Sequence, residues 1–235
     1  MPRTGQVSDR IGAIAGVAFA MLFFLSVFVA NPVHGETDQL LLEQWTDGGV
    51  RRDLIVSMFL MLLAGPCFLV FVSQLRARLR AAEPESAWGD LVHGTGVVFV
   101  ATLSITAFSR GLIAQAVRFG GEPLPSPDTL RYATAFSDAA FGLASIPFAT
   151  LAVATASTLI LQTGAMSRWV GWLGLGVTAL SLGTIVLLIG PFATPLIAIW
   201  VLVASVQLFR ARRTRVVPAD ASQGIALSQP PSLVS

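Results

Sequence analysis

Long apolar blocks recur along this chain, and they constrain its fold more than any other feature. An α-helix rises about 1.5 Å per residue, so roughly 20 apolar residues cross the ~30 Å hydrocarbon layer of a membrane. The blocks have this length, which predicts an all-α polytopic bundle of about six transmembrane helices within residues 1–215. The predicted spans are residues 11–30, 54–72, 91–117, 139–161, 170–189 and 192–209.

Composition agrees with a membrane location. Hydrophobic residues make up 54% of the 235 residues and charged residues only 12%, whereas a soluble domain is about one-quarter charged. The first block follows a basic start, as a signal peptide does, but its apolar core of about 20 residues exceeds the usual length. It is therefore predicted to be an uncleaved span. Residues 216–235, rich in Pro, Ser and Gln, predict a disordered cytoplasmic tail.

The distribution of arginines predicts the orientation, because cytoplasmic loops of membrane proteins carry an excess of basic residues. With the N-terminus inside, ten arginines lie on the inner side and five on the outer side. Both termini are therefore expected in the cytoplasm of a bacterium, with the protein in its inner (plasma) membrane. The inner arginines are Arg3, Arg10, Arg76, Arg78, Arg80, Arg168, Arg210, Arg212, Arg213 and Arg215, and the outer ones are Arg51, Arg52, Arg110, Arg118 and Arg131.

The chain contains no lysine, and this excludes several chemistries. A retinal or pyridoxal Schiff base needs a lysine amine, and so does a Walker-type phosphate loop. The single cysteine, Cys67, excludes an intrachain disulfide and a multi-thiolate metal centre. The arginines are spread along the loops, which argues against nucleic-acid binding. No catalytic, cofactor or nucleotide motif occurs, so we expect no cofactor and favour a protein that is not an enzyme.

Two outer loops carry helix signals. The first contains Trp45 and a run of three leucines among acidic residues, which predicts a short helix at the membrane surface. The second contains Ser126, Pro127 and Asp128, which are suited to the N-cap, the first position and the first turn of a helix. A helix is therefore predicted to begin at Pro127 and to lead into the fourth span.

Ionisable residues near the ends of the spans are the candidate polar sites, because such groups are costly inside a membrane. Asp90 and His93 lie three residues apart at the inner end of the third span and can pair and move protons, or be hydrated at the interface. Asp53, Arg110 and Asp138 lie at the outer ends of three spans. They predict a charge cluster that acts as a structural clamp or as a substrate gate.

Two further polar patterns carry hypotheses. Hydroxyl groups recur on one face of the third span, and they can line a solute path or form interhelical hydrogen bonds. Three possible metal ligands alternate in the first outer loop, where a divalent site would need a fourth group. The hydroxyl residues are Thr95, Thr102, Thr106 and Ser109, and the possible ligands are His34, Glu36 and Asp38.

The fifth span opens with Arg168, Trp169, Gly171, Trp172 and Gly174. The arginine and the tryptophans suit the inner interface, and the glycines allow close helix packing. Together with the arginine-rich inner loop at 75–80, the stretch 163–174 resembles a group of six-span actinobacterial membrane proteins without an established function. One serine of this stretch replaces the proline of that group. The resemblance implies the six-helix topology and no catalytic residue.

Three functions remain open. The first is an accessory, structural or regulatory protein that contacts the lipid bilayer or another membrane protein. Small-residue faces on the fourth and fifth spans favour it, and their members are Ala140, Ala144, Pro147, Gly171, Gly174 and Gly176. The second is a small-solute or proton-coupled transporter, suggested by the hydroxyl row, by Arg110 and by the pair of Asp90 and His93. The third is an intramembrane enzyme acting on lipid through the three alternating loop residues. We favour the first and expect no nucleotide or nucleic-acid partner.

Overall fold

The computed structural model of the chain describes residues 4–29, 37–84, 87–187 and 190–210, and these residues form an all-α bundle without a strand. A π-helical segment, Ala140–Ser145, joins α5 to α6 without a break, and a 3-10 turn, Gly190–Ala193, precedes α8. The predicted tail at 216–235 lies outside the described residues. The helices are α1 (Thr4–Val29), α2 (Asp38–Thr46), α3 (Gly48–Ala82), α4 (Trp88–Phe119), α5 (Pro127–Ala139), α6 (Ile146–Thr163), α7 (Arg168–Val186) and α8 (Thr194–Arg210).

Six of these helices close into a ring. α1 packs on α3 and α8, α3 packs on α4, α4 on α6, and α6 on α7, while α7 and α8 complete the ring. A Cβ atom at Gly16 of α1 would overlap the side chains of Ser205 on α8 and Phe71 on α3, so glycine allows the three helices to approach this closely. Ser57 of α3 adds a hydrogen bond to the carbonyl oxygen of Ser26 on α1, at 2.8 Å.

Five helices of the ring have the length and the apolar composition to cross a membrane: α1, α3, α4, the continuous α5–α6 helix and α7. This confirms the predicted class of fold. The sixth predicted span corresponds to α8, a shorter apolar helix of 17 residues. α8 is about 25 Å long, a few ångströms less than the hydrocarbon layer. It nevertheless occupies a full place in the ring, between α1 and α7.

Six phenylalanines fill the centre of the bundle. Each has at most 2% of its surface exposed. Seven pairs of their rings have centroids between 4.7 and 6.2 Å apart, mostly in tilted or edge-to-face arrangements. Such pairs contribute roughly 0.5–1.5 kcal/mol each beyond the burial of their area. The rings belong to α1, α3, α4 and the π-helical segment: Phe19, Phe23, Phe68, Phe71, Phe99 and Phe141.

Several helices extend beyond the predicted spans at the end of the bundle that we predict to be outer. α3 begins at Gly48, α4 continues to Phe119, and α5 begins at Pro127 as predicted, with the Ser126 hydroxyl accepting from the backbone N–H of Thr129. These ends and α2 enclose a second apolar cluster, which we name the outer cap. Its buried members are Leu41, Trp45, Leu54, Ile55, Ala114 and Leu130.

The outer cap changes the interpretation of α2. The leucines and Trp45 of this helix predicted an apolar face turned toward the membrane surface. In the structure Leu41 and Trp45 are 2% and 3% exposed and pack against the protein, whereas Leu40 is 48% exposed. The reason is that α3 and α5 extend far enough to contact α2, and an apolar side chain is buried as effectively by protein as by lipid.

Candidate functional site

The main candidate site is Arg110 on α4, in the outer half of the bundle. Arg110 lies about 20 residues along α4 from Leu91, which is roughly the length of helix that crosses the hydrocarbon layer, at the end of the bundle that we predict to be outer. Its side chain is 15% exposed, and its guanidinium lies 3.8 Å from the Asp138 carboxylate. The same guanidinium lies over the ring of Phe141, 5.8 Å from its centroid. An arginine this deep is a functional-site hypothesis by default.

The π-helical segment carries Phe141, whose ring lies against the Arg110 guanidinium. Such segments insert one residue into an α-helix and often occur at functional sites. The Ser145 hydroxyl donates to the carbonyl oxygen of Ala140, 3.1 Å away and five residues earlier. The hydroxyl oxygens of Ser145 and Thr106 lie 3.3 Å apart and link the segment to α4. These contacts hold Phe141 at the segment's start, between Arg110 and the phenylalanine core.

The predicted outer charge cluster is only partly assembled. Arg110 and Asp138 lie together, as predicted. Asp53 instead pairs with its neighbour Arg52 on α3, at 3.2 Å. The two residues are adjacent on an exposed helix face, so Asp53 reaches a cation without leaving α3. The structure thus reduces the cluster to an ion pair of α4 with the last turn of α5.

The predicted pair of Asp90 and His93 at the inner end does not form. Asp90 accepts hydrogen bonds from Arg76 at 2.5 Å and from Arg80 at 2.7 Å, both on α3. The Nδ1 atom of His93 is buried and has no hydrogen-bond partner. Two guanidinium groups attract the carboxylate more strongly than one imidazole, and the packing of α3 against α4 brings them within reach.

Asp90 lies in the first turn of α4, one residue before the predicted span. The hydrogen bond from Arg76, aided by the charges of both arginines, holds the pKa of the Asp90 carboxyl below its ordinary value. A neighbouring pocket lined by Leu79, Gly89 and three other residues is too narrow for a water molecule. This end of the bundle is therefore a charged clamp between two helices. The spacing of Arg76 and Arg80, followed by an acid after a short turn, was the sequence signal for it.

The hydroxyl row on α4 mostly bonds within its own helix. Thr95, Thr102 and Ser109 each donate to a carbonyl oxygen about one turn earlier, at 2.7–3.1 Å. The Thr106 hydroxyl lies 3.1 Å from the carbonyl oxygen of Thr102 and 3.3 Å from the hydroxyl oxygen of Ser145, so its single proton is shared between a bond within α4 and a bond to the neighbouring helix. Self-satisfied hydroxyls of this kind are common in membrane helices. The row therefore forms one interhelical contact rather than the series that its spacing predicted.

The predicted metal ligands cannot be compared as a set. His34 and Glu36 lie outside the described residues. Asp38 begins α2, and its carboxylate pairs with Arg131 of α5 within the outer cap. In the described ranges no three acidic, histidine or cysteine side chains are grouped as metal ligands.

The residues of the motif at the start of α7 lie on two faces of that helix, one turned toward the bundle and one turned away from it. A Cβ atom at Gly171 would overlap the side chain of Leu161, and one at Gly174 would overlap Ser157 and Trp200. These two glycines pack closely within the bundle, whereas Gly176, for which the same close packing was predicted, is exposed and has no neighbour within 4 Å of a Cβ atom. Exposed side chains form the opposite face, which suits their predicted anchoring role at the inner interface. They are Arg168, Trp169 and Trp172.

Comparisons of the chain with protein-family models, with curated proteins and with solved structures give no match. The resemblance to the actinobacterial six-span group therefore stays a prediction.

Proposed function

We propose that this chain is an accessory or scaffolding protein of the bacterial inner membrane. In this proposal it crosses the membrane six times with both termini inside, and α7 packs against a transmembrane helix of another membrane protein. The outward face of α7 is the observation that carries the proposal. Only 28% of the most apolar stretch of α7 is buried within the bundle, compared with 61% for α5–α6.

Small residues distinguish this outward face. Gly176, Ala179 and Gly183 are exposed, and a Cβ atom at either glycine would have no neighbour within 4 Å. Ala179 and Gly183 have the four-residue spacing of small residues that lets two membrane helices approach closely, and Gly176 and Gly183 lie seven residues apart. The face therefore offers a shallow groove that no helix of the described bundle fills.

The outward face of α4 gives the contrast. Its exposed side chains are mainly large and apolar, including Val98, Ile105 and Leu112. Such large apolar side chains suit contact with lipid chains. Small residues give no advantage there, because their benefit is to let two helix backbones approach closely. α4 also exposes Gly94 and Ala101, and α7 also exposes Leu180 and Val186. The difference is the four-residue spacing of Ala179 and Gly183, and this spacing favours a protein contact at α7 over general lipid exposure.

The transporter hypothesis receives less support. A carrier needs a polar path through the middle of the bundle. The six phenylalanines fill that middle, and the hydroxyls of α4 bond mainly to their own backbone. The lipid-enzyme hypothesis depended on the outer-loop residues, of which Asp38 is paired with Arg131. A helix-packing role agrees with a bundle whose centre is filled by apolar side chains and whose two ends are joined by ion pairs between helices.

Photocrosslinking from α7 tests the proposal. The chain has no lysine, so amine-reactive reagents cannot label its side chains. We would place a benzoylphenylalanine at position 179, irradiate native membranes, and identify the adducts by mass spectrometry. Position 101, an exposed alanine on α4, is the matched control. We expect a specific protein adduct from position 179 and only lipid adducts from position 101.

Substitutions on the same face make the test quantitative. The double variant Gly176→Leu/Gly183→Leu should reduce the protein adduct from position 179 at least tenfold, because it fills the groove. Gly94→Leu is the control, since Gly94 is also an exposed glycine without neighbours. Lipid adducts alone from position 179, or the same proteins from both positions, would contradict the proposal. An adduct with a second copy of this chain would make the face a dimer interface instead.

A further inference from the structure

The protein does not occupy all the N–H donors of the Arg110 guanidinium. Arginine presents five N–H donors and stays charged at all accessible pH values. Within the described part of the chain its contacts are the Asp138 carboxylate at 3.8 Å and the Phe141 ring at 5.8 Å. A charge-assisted hydrogen bond is about 2.7–2.9 Å long, so the ion pair lacks a close hydrogen bond. A mostly buried arginine thus retains donors for another acceptor.

The surroundings limit what that acceptor can be. Phe141 covers one side of the guanidinium, and the Ser145 and Thr106 hydroxyls nearby are engaged with each other. Asp138 is 46% exposed, so the ion pair is open to the surroundings of the protein on the α5 side. The guanidinium fork matches two oxygens of one oxyanion.

The depth of the site indicates which oxyanions can reach it. Arg110 lies near the outer boundary of the hydrocarbon layer by residue count. Tyr132 and Phe136 of α5, one helical turn apart, are 77% and 58% exposed, and aromatic side chains of this kind concentrate at headgroup level. Phospholipid phosphates lie at the same level, and free phosphate reaches it from the outer aqueous side.

We propose that Arg110 is a phosphate-binding site at the outer membrane interface, with Asp138 as its built-in competing ligand. A phosphate group would accept two N–H donors of Arg110 at hydrogen-bond distance and displace the Asp138 carboxylate. The phosphate can belong to a phospholipid headgroup or to free inorganic phosphate. This inference is independent of the α7 interface.

The test uses the full chain in a nonionic, phosphate-free detergent. Inorganic phosphate and a short-chain phosphatidylglycerol are titrated separately by calorimetry. Arg110→Gln should weaken binding at least tenfold. Arg118→Gln is the matched control, because Arg118 lies two turns further along α4, also over a phenyl ring, at 5.7 Å from the Phe119 centroid. It should bind like the wild type.

The Asp138→Asn variant makes the test independent of whether Arg110→Gln folds. Removing the competing carboxylate should tighten phosphate binding by up to about fivefold, the scale of a partly exposed charge pair. Binding of inorganic phosphate would identify a soluble anion, and binding of the lipid alone would identify a headgroup site. Absence of binding by both ligands would overturn the proposal. So would a folded Arg110→Gln variant with wild-type affinity, or an Asp138→Asn variant without tighter binding.

Discussion

The indole N–H of Trp200 on α8 donates to the backbone carbonyl of Val170 on α7, with the two atoms 3.3 Å apart. Both the bond and the burial of Trp200, which is 2% exposed, need α7 to lie close to α6 and α8. Gly174 provides this closeness, because a Cβ atom there would overlap Ser157 and the Trp200 indole nitrogen. Three helices of the ring therefore meet at one glycine.

Substitution of Gly174 should destabilise this junction. We expect Gly174→Ala to lower the stability of the detergent-solubilised protein by about 1–3 kcal/mol, the usual cost of overpacking a filled core. Gly176→Ala, two residues further on the open face, should leave stability unchanged. Thermal unfolding followed by tryptophan fluorescence checks both. Equal midpoints for the two variants would show that α7 does not pack as described.

The contact of Thr106 with Ser145 should be measurable as a coupling energy. We expect a double-mutant cycle of Thr106→Val and Ser145→Ala to give about 0.6 kcal/mol, the average for interhelical hydrogen bonds in membranes. Thr102→Val replaces Thr106→Val in the control cycle, because Thr102 bonds within its own helix. Reversible unfolding in mixed micelles measures both cycles. A coupling of zero in the first cycle would contradict the link between α4 and the π-helical segment.

The clamp formed by Arg76, Arg80 and Asp90 should depend on pH. The folded-state pKa of Asp90 lies below its unfolded value of about 3.9. Its contribution to stability is therefore fully present above pH 4 and is lost as pH falls through the folded pKa. Wild type should unfold at a higher temperature than Asp90→Asn at pH 7, and the difference should shrink toward pH 3. A difference that grows on acidification would mean that the arginines do not stabilise the carboxylate.

The six-crossing topology predicts on which side Arg210 lies. In a Cys67→Ala background, single cysteines replace Glu83, Glu122 or Arg210, which are all exposed. An impermeant maleimide applied to intact cells should label position 122 and leave positions 83 and 210 unlabelled until the cells are opened. If α8 did not cross, position 210 would be labelled together with position 122.

The sequence by itself predicted the helical class, the apolar spans and the helix beginning at Pro127. These follow from local rules, because span length, caps and hydrophobicity are read within one segment. It also predicted that Gly171, Gly174 and Gly176 allow close helix packing, and of these Gly176 has no neighbour within 4 Å of a Cβ atom whereas the other two have close ones. Their position beside Ser157 and Trp200 agrees with that prediction.

Only the tertiary structure decided which charged groups meet. Asp90 and His93 share a helix face, yet two arginines of α3 bind the carboxylate at 2.5 and 2.7 Å because α3 packs against α4. Asp53 lies near Arg110 in predicted depth, yet it pairs with its own neighbour. Depth along a helix is readable from residue number, whereas the rotation of one helix against another depends on packing among many residues.

The π-helical segment is the clearest feature without a sequence signal. Phe141 belongs to this segment, and its ring lies 5.8 Å from the Arg110 guanidinium. The outer cap also has no sequence signal. The sequence of α2 shows only an amphipathic segment, and its apolar face is buried because α3 and α5 extend far enough to cover it. Local pattern therefore determined the helices of this protein, and long-range packing determined its candidate sites.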